Sequence, residues 1–212
     1  MQSLITLIQQ FINGLSLGSV YALMALGYTM VYGIAKMLNF AHGDIIMVGA
    51  YTVSVVCSVL GMPPMAAVIA SIVVCTVLGV TIEKIAYKPL RSASPLAVLI
   101  TAIGVSYLLQ SVALLIFGSN AKKVQSVVSI NSIRIGNIDL SGVALLIIGV
   151  TILIMICLSL FINCTKVGKA MLAVSEDKGA AELMGINVNA TISLTFAIGS
   201  ALAAVAGVLF VS

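Results

Sequence analysis

The sequence predicts an all-α, polytopic transmembrane helical bundle of about six spans, a single transmembrane domain over residues 1–212. Three observations predict it. Of 212 residues, 61% are hydrophobic and 8% charged, with a mean hydropathy of +1.25, whereas a soluble domain holds about 45–50% apolar residues. Several runs carry no charge over about the 20 residues that a helix needs to cross a hydrocarbon layer of ~30 Å. Lys and Arg collect in alternate connections between those runs, as they do in cytoplasmic loops.

The apolar stretches run Leu4 to Ala35, Ile45 to Leu60, Met65 to Ile82, Leu96 to Phe117, Leu140 to Ile162 and Ile192 to Val211. The first is too long for one upright helix, and predicts either an interfacial piece before a span starting near Gly14 or one strongly tilted helix. Glu83 to Pro95 holds Lys84, Lys88 and Arg91, and Thr165 to Asn187 holds Lys166, Lys169 and Lys178. Two spans separate these connections, so both are expected on the cytoplasmic side. With Lys36, seven basic residues fall inside, against Lys122, Lys123 and Arg134 outside. Six spans then put the amino terminus, Gly61 to Pro64 and the loop 118–139 outside. In that loop, Ile133, Ile135 and Ile138 flank Gly136-Asn137, a dipeptide suited to a tight turn, which predicts a small extracytoplasmic hairpin.

Several function classes are disfavoured. The first basic residue is Lys36, so the positive n-region of a secretory signal is missing and the first segment is expected to be retained. The net charge of +4 is scattered, and no Lys/Arg run supports nucleic-acid binding. Cys57, Cys75, Cys157 and Cys164 show no C-x-x-C pair and no histidine spaced to complete a metal site, so they read as packing residues. Gly168-Lys169 is followed by Ala170, with no glycine five residues before, so the phosphate-loop pattern is not met. No nucleophile elbow and no H-E-x-x-H pattern is present either. The chain is expected to be no enzyme and to hold no cofactor of its own; ATP, if it drives anything, binds another chain.

The stretch MLNFAHGDIIMVGAY, Met37 to Tyr51, places the only histidine, His42, two residues from Asp44 between long apolar runs. Asn39, His42, Gly43 and Asp44 are suited to a helix junction. Asn39 ends the first span, Gly43 relaxes the backbone, and Asp44 caps the next helix by accepting its free N–H groups. The alternative is that they line the inner mouth of a solute path, since ionisable groups at membrane depth are functional candidates. Two small-residue stripes, Gly14-Gly18-Ala22 and Gly199-Ala203-Gly207, are expected to be helix-packing seams.

Thr165 to Ala190 mixes helix formers with a polar face. Ala170, Met171, Ala173 and Val174 suit one short amphipathic helix, and Ala180, Ala181, Leu183 and Met184 a second, with Gly185 positioned to end it. Glu176, Asp177 and Glu182 balance the lysines, whereas a helix lying on lipid is usually basic, so this segment is expected to dock on a protein.

Four runs carry a resemblance. NGLSLGSVYALMALGYTMVYGIAKMLNFAHGDIIMVGAY (Asn13 to Tyr51), IEKIAYKPLRSASPLAVLITAIGVSYLLQ (Ile82 to Gln110), GKAMLAVSEDKGAAELMGI (Gly168 to Ile186) and FAIGSALAAVAGVLF (Phe196 to Phe210) resemble permease subunits of bacterial high-affinity ATP-binding-cassette importers for branched-chain amino acids. The resemblance implies a multi-pass protein of the bacterial inner membrane that works by alternating access. It implies a second related permease, two cytoplasmic ATP-binding subunits carrying ATP and Mg, an extracytoplasmic solute-binding protein, and membrane lipid as partners. It places ATPase coupling on Glu176, Asp177, Ala180, Ala181, Leu183 and Gly185, in a cytoplasmic loop 165–190. The importer pattern E-A-A followed after three residues by Gly is met at Ala180, Ala181 and Gly185, with Gly179 where the glutamate would be. Relatives continue past the segment matching Gly207 to Ser212, so a carboxy-terminally truncated form is expected. Alternatives are a permease for urea, short amides or other amino acids, a self-sufficient channel or carrier using His42 and Asp44, and a non-transporting scaffold.

Overall fold

The computed structural model describes residues 2–91, 93–120, 132–135 and 138–212. In chain order the elements are α1 (Gln2–Ala35), α2 (His42–Ser54), α3 (Pro64–Ile82), α4 (Pro95–Phe117), β1 (Ile133–Ile135), β2 (Ile138–Leu140), α5 (Gly142–Cys164), α6 (Lys166–Glu176), α7 (Lys178–Leu183) and α8 (Val188–Val211). Six helical segments among the described residues are long and apolar enough to cross a membrane: Ile5–Ala35, His42–Val59, Pro64–Leu90, Pro95–Phe117, Gly142–Cys164 and Val188–Val211. The fold is a polytopic helical bundle. The long first stretch is one continuous helix of 34 residues, with no interfacial break before Gly14.

Sequence chemistry sets the boundaries. Ser94, Ser141 and Asn187 each accept a hydrogen bond from the backbone N–H three residues on, satisfying an otherwise free donor at the starts of α4, α5 and α8. Pro89 cannot donate a backbone hydrogen bond, and its ring would clash with the carbonyl four residues earlier. Accordingly α3 widens into a π-helical turn over Glu83–Tyr87 and tightens into a 3-10 turn over Lys88–Leu90. β1 and β2 pair antiparallel with Ile135 opposite Ile138, in keeping with a tight hairpin. The expected turn residues Gly136 and Asn137, and Lys122 and Lys123 in the same loop, lie outside the described residues.

α8 is the hub. Of its apolar stretch 61% is buried, against 11% in α4 and in α5, because α1, α2 and α3 all pack on it. Small residues make each contact close. A Cβ at Gly79 would collide with the Ser200 side chain on α8, and one at Gly207 would stand 2.6 Å from the Ile46 carbonyl oxygen on α2. One at Gly199 would stand 2.6 Å from Val31 Cγ2 on α1. Ala203 is fully buried between them.

The stripe on α1 differs from expectation. Gly14, Gly18 and Ala22 are exposed, and a Cβ at Gly14 or Gly18 would meet nothing within 4 Å. These residues form no seam between the described helices of this chain. α1 reaches its neighbours lower down, through Gly27, whose Cβ position lies 3.0 Å from His42 Cε1 and 3.2 Å from the Gly199 carbonyl oxygen.

The connections 36–41, 83–94 and 165–187 meet at one end of the bundle, as six spans require. Tyr87 bonds Asn39 at 3.1 Å, Arg91 bonds Asn189, and Lys178 Nζ donates to the Ala35 carbonyl at 2.9 Å. This is the end rich in Lys and Arg, the bias expected of a cytoplasmic side.

Candidate functional site

Two places on this framework carry the polar chemistry: a junction inside the bundle and a platform at its basic end. The junction begins where α1 stops at Ala35. Residues 36–41 turn back into the protein, so that His42 starts α2 against Gly27 and Tyr28 of α1. Gly27 lies eight residues before the end of α1, which puts the start of α2 about 12 Å inside that end. Non-helical backbone is tolerated at such depth only where protein or a cavity surrounds it. Met37, Asn39 and Ala41 are buried here.

Asn39 is 1% exposed; its Oδ1 accepts from Tyr87, while its Nδ2 has no hydrogen-bond partner among the described residues. His42 is 4% exposed, and its Nε2 also lacks one among the described residues. Gly43 and Asp44 behave otherwise than the sequence suggests. Ala41, not Asp44, occupies the cap position of α2, with no side-chain cap bond. Gly43 lies within the helix, with open space where a Cβ would stand. The Asp44 carboxylate, buried in the first turn, accepts from Ser106 Oγ and from Gln110 Nε2 at 3.0 Å, both on α4. Its dipole position is favourable, but its partners are two neutral side chains of another span.

Beside this junction a cavity of about 680 Å³ is lined by Tyr21, Met24, Gly43, Met47, Tyr51 and Ser54 among others. Gly43, Met47 and Ser54 recur at helical spacing along one face of α2. The surface is mostly aromatic and aliphatic, with few polar groups, as suits a small apolar solute.

The platform is α6 and α7. Thr165 caps α6 by accepting from the Gly168 N–H at 2.9 Å and donates to the Phe161 carbonyl at 2.7 Å. Gly168 makes the reversal possible, because a Cβ there would collide with Ile162 and Phe161 backbone. Met171 and Val174 are buried, seating α6 on the bundle. Asp177 caps α7, its Oδ1 accepting from the N–H groups of Gly179 at 2.8 Å and Ala180 at 3.0 Å. Ala181 is buried beneath. Gly185 ends the segment at φ +81, a left-handed conformation that glycine adopts without steric cost. Between these fixings Leu183 and Met184 stand 91% and 83% exposed. Glu176 and Ala180 are exposed on the same platform.

Behind the platform is a cluster that sequence reasoning used only for orientation. Glu83 is fully buried; it pairs with Arg91 and accepts from Ser193 Oγ at 2.7 Å, while Arg91 also bonds Asn189. Burial of the Lys178 ammonium, with the Arg91 and Lys36 cations nearby, lowers its pKa from the ordinary 10.5.

The comparisons with known proteins decide the family. Residues 10–212 match the family model described as branched-chain amino acid transport system / permease component. The chain belongs to that family. It is 45% identical over 215 residues to the high-affinity branched-chain amino acid transport system permease protein BraD of Pseudomonas aeruginosa, covering 95% of this chain and 70% of BraD. It is 40% identical over 214 residues to the corresponding LivH permease protein of Escherichia coli, with the same coverage of 95% and 70%. A probable LivH permease protein of Methanocaldococcus jannaschii is 30% identical over 87% of this chain and 60% of its own length. No solved structure matches. Membership makes this chain a multi-pass membrane permease component.

Proposed function

We propose that this permease component moves branched-chain amino acids across the bacterial inner membrane by alternating access, as one subunit of an ATP-driven importer. ATP and Mg are held by separate cytoplasmic subunits, a second related permease completes the pathway, and an extracytoplasmic binding protein delivers the solute. The observation that carries the reading is the pair Leu183 and Met184, 91% and 83% exposed on a capped and seated platform. Apolar side chains held rigidly in water suit the groove of a partner protein. Glu176 supplies charge to orient that contact, whereas Asp177, Ala180, Ala181 and Gly185 set its geometry. Branched-chain side chains suit the mostly apolar cavity along α2. The names of the relatives support the same substrate class.

Co-purification with the ATP-binding subunit tests it. Leu183→Glu with Met184→Glu is expected to abolish capture and ATP-dependent leucine uptake while leaving the melting temperature of the permease unchanged. ATP-independent uptake by the purified chain alone, driven by a pH gradient, would overturn the reading.

A further inference from the structure

At the basic end a cavity of about 290 Å³ opens between the end of α1, the 36–41 link, the α3–α4 connection and the start of α7. Lys36, Arg91 and Lys178 line it, and Tyr32, Leu90 and Leu99 supply apolar wall. Three cations from three chain segments converge here. The carboxylate paired among them is Glu83, engaged with Arg91. Arg91 uses its two terminal nitrogens on Asn189 and Glu83, and its Nε is buried with no hydrogen-bond partner among the described residues. Lys178 spends one proton on the Ala35 carbonyl, and an ammonium has three.

The excess positive charge is felt within the cluster, because Arg91 and Lys36 both make protonation of Lys178 harder. An anion seated there would relieve that repulsion. Guanidinium and ammonium donors aimed into one cavity match a phosphate, which offers several charged acceptor oxygens. The setting indicates where the phosphate comes from. α4, which forms one wall, is the least buried span together with α5, and its Leu96 and Ile100 are 64% and 61% exposed. A headgroup in the cavity can therefore lay its acyl chains along α4. Basic pockets between spans on the cytoplasmic side suit acidic phospholipids.

We propose that this cavity binds the phosphate of an anionic phospholipid headgroup from the cytoplasmic leaflet, held by Lys36, Arg91 and Lys178.

The full chain, purified in neutral detergent, is titrated with phosphatidylglycerol or phosphatidylcholine and read by native mass spectrometry and thermal unfolding. Phosphatidylglycerol is retained and raises the unfolding temperature, and phosphatidylcholine does neither. Lys36→Gln and Lys178→Gln each weaken retention about fivefold. Lys169→Gln, an exposed lysine outside the cavity, leaves it unchanged. Because Lys178 also binds Ala35, Lys36→Gln is the variant that reads the site without touching that bond. Equal retention of the two lipids, or an equal loss in Lys169→Gln, would overturn the proposal. Inorganic phosphate alone serves as the second arm; protection by it that phosphatidylglycerol does not exceed would assign the site to a dissolved anion and sink the lipid assignment.

Discussion

Gln110 Nε2 donates to Asp44 Oδ1 at 3.0 Å, and Ser106 of the same helix donates to the other carboxylate oxygen. Ser106 lies eleven residues into α4, about 16 Å from its start, so this carboxylate sits deep in the span. The bonds tie α4, otherwise the loosely held edge of the bundle, to the first turn of α2.

Asp44→Leu removes the acceptor of both donors, and is expected to destabilise by about 1–3 kcal/mol. Asp44→Asn, which keeps an acceptor oxygen, is expected to lose less. Thermal unfolding in nanodiscs checks this, and equal losses for both variants would show that the charge itself, not hydrogen bonding, holds the helices.

Glycine substitutions separate real seams from apparent ones. Gly79→Ala and Gly207→Ala press a methyl group into Ser200 and the Ile46 carbonyl, and are each expected to cost about 1–3 kcal/mol by overpacking. Gly14→Ala and Gly18→Ala, facing open space, are expected to stay within about 0.5 kcal/mol. Unfolding midpoints of the four variants measure the contrast.

Glu83→Gln leaves Arg91 without its counter-charge in a largely buried setting. Breaking such a pair from one side costs about 3–5 kcal/mol. Ser193→Ala, which removes one neutral donor from Glu83, is expected to cost about 1 kcal/mol. The same unfolding assay distinguishes them.

Asp177→Ala removes the cap of α7, at an expected cost of about 1 kcal/mol, and weakens capture of the ATP-binding subunit by loosening the platform. Asp177→Asn, an equally good capping residue, restores both. If Asn fails to restore capture while the melting temperature recovers, the carboxylate touches the partner directly.

The Lys178 ammonium gives a pH signature. Its folded pKa lies below the unfolded 10.5, so between those two values the unfolded state binds more protons. Stability therefore rises with pH across that window. The penalty is fully present below the folded pKa. Lys178→Gln is expected to flatten the rise, measured as unfolding midpoint against pH in the alkaline range without added lipid.

Much of this architecture is legible in the residues. The charge-free runs located the six spans, since hydrocarbon demands continuous apolar helix, although the second begins at His42 rather than Ile45, the third runs on to Leu90 and the last begins at Val188 rather than Ile192. Gly185 marked the end of the basic-end helices, because capping is local chemistry. What was hidden depends on which helices meet. Ser106 and Gln110 are four apart in a span without charge, a visible signal, but only the packing of α4 on α2 pairs them with Asp44. Glu83 and Arg91 read as solvated loop charge until the π-helical turn before Pro89 brings Glu83 indoors. The α1 stripe shows that Gly-x-x-x-Gly spacing permits close approach without naming the neighbour, since no described helix of this chain lies against Gly14 or Gly18.

Lys178 grips the last carbonyl of α1, a single unbroken rod of 34 residues, about 51 Å long. Any shove delivered to α7 is thus applied at the tip of a long lever arm. A tilt of about 5° in a rod of that length displaces one end relative to the other by about 4 Å, roughly the width of a methyl group. On the proposed coupling role of α7, that grip is the point at which a displacement of α7 would be handed to α1.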